Sequence, residues 1–254
     1  MRVLVIGDVI GRPGRRAVEA LLPNLRKEHQ IDLVLANGEN AAGGIGLTPA
    51  TAEELFRSGV DVITSGNHIW HYKEIIPYLE GDYPVLRPLN FPPGVPGRGY
   101  VYVKGALIVN LMGRVFMSAI DCPFRAMDQL LESIGSGPKI IVVDFHAEAT
   151  SEKNALAKYL DGRVSLVAGT HTHIGTIDAR ILPQGTAFVT DVGMVGPEDS
   201  VIGDDAQAAI SRFLTGMPHR LSVGQGPVTF NSILAEIEPG GRALEIRRID
   251  LRFV

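Results

Sequence analysis

The chain has 254 residues, 45% of them hydrophobic, which is enough for a sizeable core; α/β sandwiches of this length commonly form one domain, so 1–254 reads as one. A formal net charge of −4 gives no global electrostatic case for long nucleic acid or an anionic membrane, although a local basic patch can still hold a small phosphate ligand. Cys122 is the single cysteine, which excludes an intrachain disulfide and fits a reducing cytoplasm, and no apolar run approaches the roughly 18 residues of a bilayer span.

The first apolar run, Val3 to Ile6, turns acidic at Asp8 too soon for a secretory signal and reads as a strand. Val18, Leu21, Leu22 and Leu25 follow at helical spacing, then a strand at Leu33 to Ala36. Thr48-Pro49 opens a helix through Ala52, Leu55 and Phe56 that stops before Gly59, ahead of a strand at Val60 to Ile63. The Pro/Gly-rich stretch Arg87 to Gly99 reads as a long loop, either walling a substrate cleft with Asn90, Phe91 and Arg98 or serving as a rigid crossover. Strands come next at Leu107 to Leu111, Ile140 to Val143 and Val164 to Ala168. The helices between them run from Pro123 to Ile134 and from about Ser151 to Leu160, with Ser151 capping the second.

Beyond Ile177 the pattern changes to a hairpin, Ile177 to Leu182 and Ala187 to Thr190 around Pro183-Gln184-Gly185. A helix near Ala206 to Leu214 follows, then two strands, Val228 to Ile237 and Ala243 to Phe253, joined by Pro239-Gly240-Gly241. Uninterrupted apolar runs are the mark of strands covered on both faces, and their alternation with helices is the mark of an α/β chain. The hairpins add antiparallel pairing, so the expected architecture is two mixed sheets face to face with helices outside.

Polar residues collect where the apolar runs end. Asp8 closes the first, Glu39 and Asn40 follow the second, Asn67 and His68 the third, His146 ends a later one, and His171 and His173 close another. Ligands of α/β sheets gather beyond the carboxyl ends of strands, so five such tips carrying Asp, Glu, Asn and His point to one shared site. Glycines flank them, as in Gly38-Glu39-Asn40 and Gly66-Asn67-His68, and allow the close backbone approach that crowding requires. Taken singly each residue has a bland reading: Asp8 a turn former or helix cap, Asn40 and Asn67 tight-turn residues, His146 a satisfied core histidine. His171-Thr172-His173, however, puts two imidazoles on one side of an extended segment, which favours chelation. Oxygen and imidazole donors without thiolate suit manganese, iron or zinc. Seven donors (Asp8, Glu39, Asn40, Asn67, His146, His171, His173) exceed one tetrahedral ion's needs and suffice for two ions sharing Glu39. Arg12 reads as a solvated helix-opening arginine more readily than as a phosphate contact, His71 and His219 lie off the strand tips, and Trp70 and Tyr72 read as packing residues.

At these positions the sequence resembles the calcineurin-like metallophosphoesterase superfamily, with Gly66-Asn67-His68 and His171-Thr172-His173 as the nearest matches. Asp8-Val9-Ile10 lacks the histidine of the usual Asp-x-His, and Glu39-Asn40 stands where an aspartate bridge is customary. Those departures, with Gly-Asp-Val-Ile-Gly-Arg-Pro-Gly at 7–14 and Asn-Gly-Glu-Asn-Ala-Ala-Gly-Gly at 37–44, resemble the YmdB-like bacterial cyclic-nucleotide phosphodiesterases over nearly the whole chain. The resemblance implies a four-layer α-β-β-α sandwich and two ions, iron or manganese. Asp8, Glu39, Asn40 and His173 would hold one and Glu39, Asn67, His146 and His171 the other, with His68 free as proton donor to the leaving group. It further implies 2′,3′-cyclic nucleotides among the small phosphodiester substrates and compatibility with a homo-oligomer; two-ion chemistry itself suggests a bridging hydroxide as the expected nucleophile. A phosphomonoesterase, an RNA nuclease and a nucleotide-sensing regulator remain open alternatives, because the same donor set would serve each.

Overall fold

A computed structural model describes all of residues 1–254. In chain order the elements are β1 (Arg2–Val9), α1 (Gly11–Glu28), β2 (Leu33–Asn37), α2 (Pro49–Arg57), β3 (Val62–Thr64), α3 (Ile75–Glu80), β4 (Tyr100–Val103) and β5 (Ala106–Met112). They continue with α4 (Pro123–Ile134), β6 (Ile140–His146), α5 (Thr150–Tyr159), β7 (Leu166–Thr170), β8 (Arg180–Ile181), β9 (Ala187–Val189), β10 (Met194–Pro197), α6 (Ala206–Thr215), β11 (Val228–Ile237) and β12 (Ala243–Phe253).

The strands form two six-stranded mixed sheets, ordered β12-β11-β10-β1-β2-β3 and β4-β5-β6-β7-β9-β8. Side-chain alternation explains why their sequences look uniformly apolar. Val3, Val5, Leu33 and Leu35 meet Ile108, Val142, Leu166 and Ala168 between the sheets. On the outer face of the first sheet Leu4, Ile6, Val34 and Ala36 pack with Val18 and Leu22 of α1 and Leu55 of α2. On the outer face of the second, Leu107, Val109, Ile141 and Val143 pack with Met127 and Leu130 of α4 and Leu156 of α5. Both faces of each central strand are therefore buried, which is the four-layer sandwich, at about 1.5–3 kcal/mol for each fully buried aliphatic side chain.

Helix boundaries follow local chemistry. At α2 the Thr48 hydroxyl accepts from Thr51 N and the Thr51 hydroxyl accepts from Thr48 N, a reciprocal cap ahead of Pro49. The expected Ser151 cap is absent: α5 starts at Thr150 with Ala149 at its N-cap and no side-chain cap, so Ser151 lies inside the first turn. The expected strand Ile177 to Leu182 shrinks to Arg180–Ile181, since Ile177 is 98% exposed. Three elements had no expectation: α3, β4 and β10. No helix is long and apolar enough to cross a membrane.

One irregularity positions the site. The first half of β1 pairs antiparallel with β11, from Arg2↔Glu236 to Ile6↔Ser232, whereas its end pairs parallel with β10 at Asp8↔Met194. The register against β2 shifts between Ile6 and Asp8. Gly7 sits at that bulge, where an added Cβ would stand 2.0 Å from Gly193 O. Leu4, Ile6 and Val9 all face the helices, so the extra residue turns Asp8 to the inter-sheet side, where regular alternation would have turned it away.

Candidate metal centre

The carboxyl ends of β1, β2 and β3 in one sheet face those of β6 and β7 in the other, and all eight residues expected at the site meet there. Asp8, Glu39, Asn40 and His146 are fully buried, while the side chain of His68, 35% exposed, is the most open of the four imidazoles. A cavity of about 270 Å³ opens onto Glu39, Asn40, His68, His171 and His173.

The donor atoms fall into two groups. In the first, His146 Nε2 lies 3.0 Å from Glu39 Oε1, 3.2 Å from Asn67 Oδ1 and 3.0 Å from His171 Nδ1. Glu39, His146 and His171 offer ligand atoms all within 4.8 Å of one another. In the second, His173 Nε2 lies 3.6 Å from Asp8 Oδ1 and 3.2 Å from Asn40 Nδ2. The Asn40 oxygen is turned to His68 Nδ1 at 2.8 Å, so ligation through it requires the amide to rotate.

This is a crowd of acceptors short of donors. Asp8 Oδ1 and Glu39 Oε1 are buried with no hydrogen-bond partner; Glu39 Oε1 approaches His146 without the geometry of a hydrogen bond. A buried, unsatisfied carboxylate oxygen is costly, and two of them among imidazole nitrogens are what a cation would satisfy. The donor set fits a hard or borderline divalent ion.

Protonation responds to the same crowding. Burial works to raise the Asp8 carboxyl, but His173 and His146 outweigh it and hold Asp8 well below the usual carboxylate range. Burial works against charge on His173 too, yet Asp8 pushes it up to about 9. His146 is likewise raised, with Glu39 outweighing burial, and Glu39 is lowered by His146 against its own burial. Burial, then His146, takes His171 down to about 4. His68 is lowered, by burial first. Protons thus gather on two imidazoles where a cation would otherwise sit.

A second layer fixes the first. His146 Nδ1 lies 3.0 Å from the Thr170 hydroxyl, which donates to Asp144 Oδ1 at 2.7 Å, leaving that oxygen to accept from Nδ1 and Nε2 to present its lone pair. Asp144 also accepts from the Thr64 hydroxyl, and its burial pushes its carboxyl up to about 6. Asn37 Oδ1 accepts from Glu39 N at 3.1 Å, and Glu39 Oε2 accepts from His68 N at 3.0 Å. His173 Nδ1 is held by Ile202 O at 2.7 Å.

The segment 171–173 is not extended as expected. His171 and His173 have φ of 100° and 65°, the left-handed region, so they reach the two groups by a strained turn rather than by strand alternation. Asp191 holds that turn: its Oδ2 accepts from Thr172 N at 3.2 Å and from the Thr172 hydroxyl at 2.8 Å, and its Oδ1 from Gly193 N at 2.8 Å. Lys153, 1% exposed, donates to the same Oδ2 at 2.6 Å. Neither Lys153 nor Asp191 was anticipated, since a lysine four residues into a helix reads as solvated. Asp144 was legible in principle, lying two residues before His146 on the same strand face. Glu148, 3.0 Å from His171 Nε2, is a further carboxylate at the cavity.

Other expectations resolve away from the site. Arg12 is exposed on the outer side of α1 and lines no part of this cavity. The loop 87–99 walls a different cavity, with Asn90 buried and donating to Met112 O and Asp121 O. Trp70 packs on Phe91 with ring centroids 5.7 Å apart, and His71 and His219 are exposed.

Comparison with known proteins adds a family to this geometry. The chain is 46% identical over 254 residues to a 2′,3′-cyclic-nucleotide 2′-phosphodiesterase of Bacillus subtilis (strain 168), covering 98% of this chain and 96% of that one. A hypothetical protein from Thermus thermophilus superposes with a TM-score of 0.94 at 49% identity, covering 99% of both chains. A phosphatase from Mycoplasma pneumoniae superposes with a TM-score of 0.93 at 32% identity, covering 99% of this chain and 93% of that one. The family model described as YmdB-like protein matches residues 4–249, and with relatives this similar along its whole length the chain belongs to the YmdB-like family of metallophosphoesterases.

Proposed function

We propose that this phosphoric ester hydrolase cleaves small phosphodiesters, 2′,3′-cyclic nucleotides foremost, at a centre of two metal ions, with His68 as proton donor. The observation that carries the reading is the pair of orphaned buried oxygens, Asp8 Oδ1 and Glu39 Oε1, set among imidazole nitrogens. Asp8, Glu39, His173 and, through its oxygen, Asn40 would hold one ion; Glu39, Asn67, His146 and His171 the other. Iron or manganese suits these donors best and zinc also fits. Two such ions supply a water-derived nucleophile at neutral pH and screen the phosphoryl charge.

The side chains of this protein do the rest. Glu39 is fixed from both sides, its backbone by Asn37 and its Oε2 by His68 N, so the shared carboxylate cannot swing away. The Asn40 side chain lies against Nδ1 of the His68 ring and sets its rotation, which leaves Nε2 to carry the proton delivered to the departing ribose oxygen. Lowered by burial, the His68 imidazolium is a readier acid than a solvated one. The choice of 2′,3′-cyclic substrate is supported by the 46% identity to the Bacillus subtilis enzyme. The single cysteine, which has no intrachain partner, supports a cytoplasmic setting.

The test is turnover of 2′,3′-cyclic AMP, bis(p-nitrophenyl) phosphate and p-nitrophenyl phosphate with manganese supplied. Diester hydrolysis exceeding monoester hydrolysis supports the proposal. Preference for the monoester, or no turnover of any of the three, overturns it.

A further inference from the structure

A cavity larger than the one at the metal centre lies elsewhere in the molecule. It encloses about 1040 Å³ on the outer side of the second sheet, between edge strand β4 and the start of α4, and shares no lining residue with the cavity at the metal centre. Four arginines line it: Arg87, Arg98, Arg114 and Arg125. Nine other arginines of the chain are ion-paired, whereas none of these four has a carboxylate within salt-bridge distance. Four of the nine unpaired arginines therefore converge on one hollow, with Asp121 its only acidic lining residue. Arg87 Nε is moreover buried with no hydrogen-bond partner.

Aromatic surface accompanies the charge. Alternation along β4 turns Val101 and Val103 into the inter-sheet core and leaves Tyr100 and Tyr102 on the cavity side, 37% and 53% exposed, their rings edge to face at 6.4 Å. Guanidinium forks recognise phosphate oxygens in a bidentate manner, and exposed tyrosine rings stack on flat bases. We propose that this cavity is a second site that binds a phosphorylated nucleoside, its phosphates on the arginines and its base on the tyrosines. The site stands apart from hydrolysis, because neither Glu39 nor any other residue of the metal cluster reaches it.

Calorimetric titration of the intact protein in a fixed excess of manganese tests the assignment, using ADP with pyrophosphate and adenosine as its two halves. ADP is expected to bind, pyrophosphate about tenfold or more weakly, and adenosine not measurably. Arg114→Ala with Arg125→Ala, both exposed, is expected to weaken ADP binding at least about tenfold, and Tyr102→Ala to remove the preference for ADP over pyrophosphate. Both variants should hydrolyse bis(p-nitrophenyl) phosphate at the parent rate, and Glu39→Gln should bind ADP as the parent does. The proposal is overturned if ADP does not bind, if the arginine variant binds it unchanged, or if Glu39→Gln abolishes binding. A lower sedimentation coefficient in the arginine variant also overturns it, by making the hollow a contact between copies of the chain.

Discussion

Removing the ammonium of Lys153 isolates one term of the site's support. Lys153 Nζ and Asp191 Oδ2 are 2.6 Å apart and each side chain is 1% exposed, so Lys153→Met strands a buried carboxylate without its cation. Breaking a buried pair from one side costs about 3–5 kcal/mol. Asp191 is also the acceptor that holds Thr172 between His171 and His173, so the repelled carboxylate takes the turn with it. Loss of such outer support weakens metal binding by about 10- to 100-fold. Adding Asp191→Asn removes the stranded charge while its oxygen still accepts from Thr172. Only the Gly193 N–H loses its acceptor, for about 1 kcal/mol. Urea unfolding and manganese titration of the parent, Lys153→Met and the double variant therefore predict a deep loss, then recovery of most stability and metal affinity. If Lys153→Met costs less than about 1 kcal/mol, or if the double variant is no better than the single, the pair does not balance the buried charge beneath the turn.

His68→Ala should retain its metal by elemental analysis and lose about 10²- to 10⁴-fold in diester turnover; loss of metal would make His68 a ligand instead. In the proposed two-ion centre Glu39 would serve both ions, so Glu39→Gln should drop the metal content from about two equivalents by elemental analysis. Gly66→Ala places a Cβ 2.1 Å from His146 Cδ2, so the ring must move; overpacking of about 1–3 kcal/mol and a weakened manganese affinity are expected from thermal melts with and without the ion. His173, raised to about 9 without metal, competes by its proton, so manganese affinity should fall up to about tenfold per pH unit below 9. Its contribution to the metal-free fold is complete below the ordinary 6.5 and is lost as pH rises through 9, while Asp8, held low, contributes above 3.8 and loses its share only in strong acid. The metal-free Tm should thus decline from pH 6.5 to 9 as the manganese-induced rise in Tm grows; a rise that shrinks over that range contradicts the assignment.

The sequence by itself determined the residue types at the strand ends and most of the elements that carry them. The runs Val228–Ile237, Ala243–Phe253 and Pro123–Ile134 are elements with those boundaries because apolar periodicity, proline and glycine act over a few residues. Contacts made across the fold were not legible in that way. The bulge at Gly7 depends on Gly193 and β10, nearly 190 residues later, and it decides which way Asp8 faces. The burial of Lys153 depends on Asp191, and the left-handed turn of His171 and His173 depends on the same carboxylate. β4 was hidden because an edge strand needs only one covered face, so Tyr100 and Tyr102 broke the apolar pattern. Local pattern reports how each segment is covered, but the direction of a ligand and the partner of a buried charge are set by distant chain that only the folded sandwich brings into contact.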